Sequence, residues 1–304
     1  MWMLTTRCSR RRSASSSGHN DAAVGDGYRG QRLALLTQHR KERVIAPALE
    51  GALGCMVERA LGFDTDTLGT FTRDVPRAGS QLEAARRKAE LAIELTGADV
   101  GLGSEGSVDR HPMLGFVDRN VELIVLIDRA RGIEVVGVAD GPAPYAHVLT
   151  DTIAEAQALA EREGFPEHGL IVRPDDADDR RVTKDILDAD RLTTAFEAAR
   201  AESATGFVVV EVDLRAHRNP RRMARIGEAA LDLAAKLASM CPACDSPGFW
   251  RSDRVSGMPC RACGRATGIT LAEIDRCRRC EHRVTRELDS TAGADPMWCD
   301  YCNP

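Results

Sequence analysis

The chain has 304 residues, of which 43% are hydrophobic and 29% are charged, with a formal net charge of −5. This length predicts one large domain plus a small module. No apolar run reaches the ~18 residues that a membrane span needs, which argues against an integral membrane protein. The negative net charge argues against binding of nucleic acid through a broadly basic surface.

Residues 1–30 are rich in arginine and serine and contain no apolar core of a secretion signal. We therefore expect a disordered tail over 1–30 and a cytoplasmic location. An anchoring or targeting role for this tail is the alternative.

Strand and helix patterns alternate over residues 31–240, which predicts an α/β domain with a mixed sheet and flanking helices. Ser80 and Glu83 have the spacing of a capping box, and Asn219 with Pro220 predicts another helix start. Apolar runs predict strands at 33–37, 100–103, 121–127, 133–138, 170–173 and 207–214, with a hairpin joining the third and fourth of these.

Eight of the ten cysteines follow residue 240 and form four CxxC pairs, which indicate a zinc-binding module over 241–304. Two thiolate pairs complete one tetrahedral zinc site, so we predict two structural zinc ions in a double zinc-ribbon-like module. The eight predicted ligands are Cys241, Cys244, Cys260, Cys263, Cys277, Cys280, Cys299 and Cys302. Disulfides are disfavoured because they need an oxidising compartment.

The spacing between the pairs favours zinc sites formed in chain order, first pair with second and third with fourth. Fifteen residues separate Cys244 from Cys260, and eighteen separate Cys280 from Cys299, as in zinc ribbons. Interleaved pairing stays open, and so does replacement of a cysteine by His282, which we expect instead to be exposed. The balanced arginines and carboxylates of this module disfavour nucleic acid and favour a packing lid or a protein-binding surface.

Two polar segments follow predicted strands, where α/β sheets commonly bind ligands. Residues 37–42 open a helix, so their N–H groups and the charge of Lys41 favour an anion; a polar first helical turn is the alternative. Residues 215–222 place four arginines at another helix start, where a phosphate would offset the charge. We predict Arg215 and Arg222 as phosphate ligands; solvated arginines paired with nearby carboxylates are the alternative.

Carboxylates in the same domain are candidate ligands of a magnesium ion, which prefers a few carboxylates together with phosphate oxygens. Glu105 is expected in a flexible turn that ends the strand at 100–103. The candidates are Asp64, Asp66, Glu105, Glu122 and Asp128, with His111 and Pro112 following nearby.

From about residue 32 to its end, the chain resembles an uncharacterised bacterial family, a domain of unknown function. The matching stretches are 37–42, 64–71, 104–107, 111–112, 219–223, 247–249 and the ending 299–304 with its Cys-Asp-x-Cys-Asn-Pro pattern. The resemblance implies the two-part layout and no particular activity. The family has glycine where Arg40 stands, Gly-Glu at 73–74 and Phe-Gly-Pro at 108–110, so the ligand contacts of this member are expected to differ.

The order of predicted elements and motifs along the chain is also similar to that of the inosine-triphosphatase-like nucleotide pyrophosphatases. Thr37 and Lys41 match their first motif, with His39 in place of asparagine, Lys88 matches their helical Lys-Ala pair, and Glu105 matches their acidic turn. The resemblance implies Mg²⁺-assisted attack of water on a phosphoanhydride.

Two functions are therefore predicted. The first is a Mg²⁺-dependent nucleotide phosphohydrolase in which Lys41, Asp66 and Glu105 are catalytic and Arg215 and Arg222 hold phosphates. The second is a non-catalytic protein that senses a phosphorylated ligand and contacts a protein partner through the zinc module.

Overall fold

The computed structural model describes residues 26–68, 79–110 and 118–304. Most of the predicted tail therefore lies outside the described residues, as do the motif positions at 69–74 and 111–112. In the described part, none of the helices is long and apolar enough to cross a bilayer.

The described part of the chain contains twelve β-strands and five α-helices. The strands are β1 (Arg32–Leu36), β2 (Met56–Arg59), β3 (Val100–Arg110), β4 (Asp118–Asp128), β5 (Ile133–Pro142), β6 (His147–Thr150), β7 (Leu170–Pro174), β8 (Thr183–Ile186), β9 (Val208–Val212), β10 (Trp250–Ser256), β11 (Thr270–Arg276) and β12 (Arg283–Glu287). The helices are α1 (Glu42–Leu53), α2 (Gln81–Thr96), α3 (Ile153–Glu163), α4 (Ala189–Glu202) and α5 (Pro220–Ala238).

The first sheet has the strand order β2-β1-β3-β4-β5 and is mixed, which confirms the predicted fold class. Strand β1 runs parallel to β2 and β3, whereas β3, β4 and β5 are antiparallel neighbours. The predicted hairpin is confirmed, since Asp128 of β4 pairs with Ile133 of β5. Helices α1 and α5 share a core with the sheet, and α2 packs in separate clusters with Val125 and with Leu36.

The helix starts follow from local sequence. The Ser80 hydroxyl accepts the N–H of Glu83 and the Glu83 carboxylate accepts the N–H of Ser80, which completes the predicted capping box of α2. The Asn219 side chain accepts the N–H of Arg222, and Pro220 occupies the first helical position of α5. These caps fix the residues at which α2 and α5 begin, and so the positions of the charged side chains on both helices.

Two glycines let α2 lie unusually close to β3. A Cβ at Gly101 would stand 2.1 Å from the carbonyl oxygen of Ala89, and a Cβ at Gly103 would stand 2.1 Å from that of Ala85. No side chain fits in this space, so the helix packs directly on the strand backbone. This close packing brings Lys88 of α2 next to the middle of β3.

The second sheet, with the order β6-β9-β7-β8, lies between β5 and α5 in sequence and is antiparallel throughout. It has its own core with α3 and α4, in which Leu159, Phe196 and Val210 are buried. The N–H of Gly169 donates to the carbonyl of Arg218 at 2.8 Å, which joins this sheet to the segment before α5. The region 31–240 thus contains two sheets with separate hydrophobic cores.

The third sheet is the antiparallel meander β10-β11-β12. It follows α5 directly, and the N–H of Gly248 donates to the carbonyl of Ser239 at 3.0 Å. A Cβ at Gly248 would lie 2.8 Å from Val135 of β5, so this module starts in close contact with the first sheet.

Candidate functional site

The eight cysteines of the C-terminal module form two tetrads whose sulfur atoms all lie within 4.8 Å of one another. The first tetrad is Cys241, Cys244, Cys277 and Cys280, and the second is Cys260, Cys263, Cys299 and Cys302. The Sγ atoms of Cys241 and Cys280 are 3.7 Å apart, and those of Cys260 and Cys302 are 3.9 Å apart. A tetrahedral zinc ion with Zn–S bonds of about 2.3 Å has sulfur–sulfur edges of roughly 3.8 Å, so the tetrads fit zinc.

The predicted pairing in chain order is wrong, because each tetrad joins alternate CxxC pairs. The reason is the meander: Trp250 at the start of β10 pairs with Arg276 at the end of β11, which brings the first and third CxxC pairs together. The second and fourth pairs meet at the other end, where Cys260 forms a bridge with Ala294. Sequence spacing did not reveal this arrangement because it depends on strand direction.

The backbone of the CxxC turns supports the sulfur atoms. The residue after the second cysteine is left-handed in three turns, at Asp245 (φ 52°), Gly264 (φ 73°) and Glu281 (φ 63°). The N–H of Arg279 donates to Cys277 Sγ at 3.3 Å, a contact that orients and stabilises a thiolate ligand. His282 belongs to neither tetrad and stacks on Phe249, with ring centroids 6.0 Å apart.

The loop between β1 and α1 has the geometry of an anion-binding turn. His39 and Arg40 are both left-handed (φ 61°), and Lys41 is right-handed (φ −64°). Successive N–H groups in such a sequence of conformations turn toward a common point. Among the described residues, the backbone N–H groups of residues 39–42 have no hydrogen-bond acceptor.

Lys41 lies beneath this loop and is only 6% exposed. Its Nζ donates to Ser104 Oγ of β3 at 3.4 Å, and no carboxylate in the described part of the chain lies within ion-pair distance. Burial lowers the pKa of Lys41 to about 7; the charges of Arg222 and Lys88 act in the same direction, and those of Glu122 and Glu105 oppose them. An anion bound here would therefore raise the pKa of Lys41.

The neighbouring buried charges form ion pairs. Lys88 Nζ is 2.5 Å from Glu105 Oε2, and Arg222 Nε is 2.6 Å from Glu122 Oε1. Glu105 lies inside β3, which runs on to Arg110, so the prediction of a flexible turn at Glu105 is wrong. Lys88 and Glu105 lie on the face of the first sheet that packs against α2, whereas Arg222 and Glu122 lie on the face that packs against α5.

The predicted phosphate ligands both contact carboxylates. Arg222 Nε donates a hydrogen bond to Glu122. The guanidinium group also packs closely on Gly106, since a Cβ at that glycine would lie 2.5 Å from Arg222 Nη2. Arg215 Nη2 lies 2.6 Å from Asp213 Oδ2 and 3.0 Å from Asp185 Oδ1. Both guanidinium groups are thus part of ion pairs. The Arg215–Asp213 pair agrees with the alternative interpretation of this segment, but both groups are largely buried rather than solvated.

Asp66 and two histidines lie beside the loop after β1. We call the region bounded by this loop, Ser104 of β3 and the start of α5 the crevice. His39 Nε2 is 3.5 Å from Asp66 Oδ2, and this hydrogen bond lowers the pKa of Asp66. The His39 ring stacks on His217, with centroids 4.9 Å apart, which connects the loop after β1 to the segment before α5. Burial lowers the pKa of His217 to about 4, and the charges of His39 and Arg215 add to this shift. The sequence did not predict this histidine pair, although both members lie in the two polar segments.

The carboxylates proposed as magnesium ligands do not converge. Asp128 is the last residue of β4 and lies opposite Val100, the first residue of β3. It accepts hydrogen bonds from Tyr28 and Arg131. Glu122 and Glu105 face Arg222 and Lys88. In the part of the chain that the structure describes, the two cysteine tetrads are the only groups of three or more such ligands close enough to hold a metal.

Fold and site together define an α/β protein with a C-terminal module that carries two cysteine tetrads with the geometry of a zinc site. A protein-family model described as "Domain of unknown function (DUF6671)" matches residues 88–304, more than half of the chain, and the protein belongs to this family. No curated protein and no solved structure matches the chain. The match includes Lys88, Glu105 and both tetrads, whereas Lys41 precedes it.

Proposed function

We propose that the crevice around Lys41 binds a phosphorylated small molecule. The observation that supports this most is a buried ammonium group without a carboxylate partner, placed beside backbone N–H groups that lack acceptors. Burial of an unpaired charge is costly, and an anion at this position would offset that cost.

The chemistry of the donors favours phosphate over other anions. The N–H groups of residues 39–42, the hydroxyl of Ser104 and the Lys41 ammonium group offer more donors than one carboxylate accepts. A tetrahedral phosphate carries three or more strong acceptor oxygens and commonly binds where N–H groups open a helix. The twelve residues of α1 add the positive end of a helix dipole.

Arg215 and Arg222 have a positioning role in this proposal. Arg222 joins α5 to β4 through Glu122, and its Nη1 also donates to the carbonyl of Leu214. The charges of Arg222 and Glu122 have opposite effects on the pKa of Lys41, so the pair acts by holding the start of α5 in place.

Hydrolysis of the bound ligand is the second candidate function. It is favoured by Asp66, whose side chain is 40% exposed and whose Oδ2 atom lies 3.5 Å from Nε2 of His39 in the binding loop. A nucleotide would bring its own phosphate oxygens, so a magnesium ion would need only one or two protein carboxylates. Asp66 is the exposed candidate, whereas Glu105 would have to exchange its ion pair with Lys88 for the metal. The two cysteine tetrads have no open position and would serve as structural zinc sites.

Calorimetric titration with inorganic pyrophosphate and with a panel of nucleotides tests the binding proposal. Lys41→Met removes the charge and keeps most of the volume, so we expect a loss of affinity of roughly tenfold or more, as for hydrogen bonds to charged groups. Lys236→Met on α5 is the matched control, because Lys236 pairs with Asp232 outside the crevice, and it should leave affinity unchanged. Wild-type protein that binds none of these anions, or equal affinity in Lys41→Met, would refute the proposal.

Phosphate release from the same nucleotides in the presence of Mg²⁺ separates the two candidates. Turnover that is lost in Glu105→Gln while binding persists supports hydrolysis. Binding without release of phosphate or pyrophosphate supports the sensing function.

A further inference from the structure

The two edge strands of the C-terminal sheet differ in regularity. Strand β10 pairs with β11 with two register shifts, one after Arg251 and one after Val255. Strand β12 pairs with β11 at five consecutive positions without a shift. Bulges protect an edge strand from further pairing, so β10 is protected and β12 is a regular edge.

The outer edge of β12 also lacks the cover that β5 has in the first sheet. At β5, the Asp232 carboxylate accepts the N–H of Val138 and Lys236 donates to the carbonyl of Val136, each at 2.8 Å. All five residues of β12 are exposed. Apart from the ladder with β11, residues 283–287 have no backbone hydrogen bond to the described part of the chain.

The charges of β12 are self-complementary. Arg283 and Glu287 have no ion-pair partner among the described residues, and they share one face of the strand with Thr285 between them. Arg283 also lies opposite Arg276 of β11, but the charge of Arg276 is already offset by an ion pair with Glu281. A carboxylate beside Arg283 would give it the partner that β11 does not provide.

We propose that the protein forms a two-fold dimer in which β12 pairs antiparallel with β12 of a second copy, centred on Thr285. This register places each Arg283 opposite Glu287 of the other copy and Thr285 opposite itself. Charges of a single sign at the ends of an edge strand would repel a second copy, whereas Arg283 and Glu287 have opposite signs and lie symmetrically about Thr285. The third charged residue of β12, Arg286, pairs with Asp275 of β11 and lies opposite Val284 of the second copy in this register. The two meanders then form one continuous six-stranded sheet.

Sedimentation velocity of the zinc-loaded full chain over a range of concentrations tests this dimer. Wild type should show a reversible monomer–dimer equilibrium that weakens at high salt. Arg283→Glu and Glu287→Arg each place like charges opposite one another at both ends of the interface, so each should weaken dimerisation about tenfold. The double variant R283E/E287R restores opposite charges and should restore the dimer.

Arg254→Glu is the matched control, because Arg254 is an exposed arginine on the shifted edge β10 and its reversal should not change dimerisation. Zinc content equal to that of wild type verifies that each variant is folded. A wild-type protein that stays monomeric at every concentration, single reversals without effect, or a double variant that stays monomeric would each overturn the proposal.

Discussion

At the scale of single residues, the ion pair of Arg222 and Glu122 connects the first sheet to the segment that returns from the second. Both side chains are almost fully buried, at 1% and 0% exposure. Removal of one partner leaves the other charge buried without compensation, which typically costs about 3–5 kcal/mol.

We therefore expect Arg222→Met to lower the free energy of unfolding by about 3–5 kcal/mol, measured by urea denaturation. The control is Arg119→Met, which removes an ion pair with Asp140 whose side chains are 32% and 43% exposed. Loss of that solvent-screened pair should lower the free energy of unfolding much less than loss of the Arg222 pair. Equal losses of stability in the two variants would show that Arg222 does not form a buried ion pair with Glu122.

Gly103 offers a second test at residue scale. A methyl group there would collide with the backbone of α2, so Gly103→Ala should destabilise the fold by about 1–3 kcal/mol. Gly51 lies in α1 with open space around its Cβ position, so Gly51→Ala should stabilise by about 0.5–1 kcal/mol. Thermal unfolding of both variants checks the signs, and a stabilised Gly103→Ala would contradict the close packing of α2 on β3.

At the scale of elements, what could be predicted depended on whether the signal was local. The capping box of α2 and the Asn-Pro start of α5 are short-range patterns, and both helices begin where these patterns predict. In the α/β region, strands β2, β6 and β8 were not predicted, because each has four residues of which at most one is buried, so no apolar pattern marks them. The division into two sheets was missed as well, because the order β6-β9-β7-β8 rests on contacts between segments far apart in sequence.

The cysteines show the same distinction, since the spacing identified all eight candidate ligands but not their pairing. In the interleaved arrangement, Cys244 and Cys277 belong to one tetrad, whereas Cys244 and Cys260 belong to different tetrads. The double variant C244S/C277S should therefore lose one zinc ion per chain and keep the other, because only one site is damaged. The double variant C244S/C260S should lose tight zinc binding at both sites.

Zinc content after dialysis against a weak chelator, measured by atomic absorption, distinguishes these outcomes. Pairing in chain order would give the reverse result, with both sites damaged in C244S/C277S and one in C244S/C260S. That result would contradict the meander as described.

At the scale of the whole molecule, the crevice is assembled from segments that lie far apart in the chain. The loop after β1 supplies Lys41, the neighbouring strand β3 supplies Ser104, and α5 returns after the second sheet to supply Arg222. The sequence indicated each polar segment because each follows an apolar strand. It could not show that Arg215 and Arg222 contact carboxylates, because Asp185 and Glu122 reach them only through the tertiary fold.

We propose that Lys41 binds an anion, and the most direct test of this is a measurement of the pKa of Lys41. The chain has only four lysines, at positions 41, 88, 184 and 236, so lysine side-chain NMR signals can be assigned by single substitutions. Sulfate is a suitable probe, because its charge is constant over the titration. As the pH rises from 7 toward the usual pKa of lysine, Lys41 of the free protein loses its proton. The affinity for sulfate should therefore fall as the pH rises.

We predict that Lys41 titrates with a pKa of about 7 in the free protein and that saturation with sulfate raises this value, while the other three lysines do not respond. A Lys41 that titrates like an exposed lysine, or one whose pKa does not change when sulfate is added, would contradict the account.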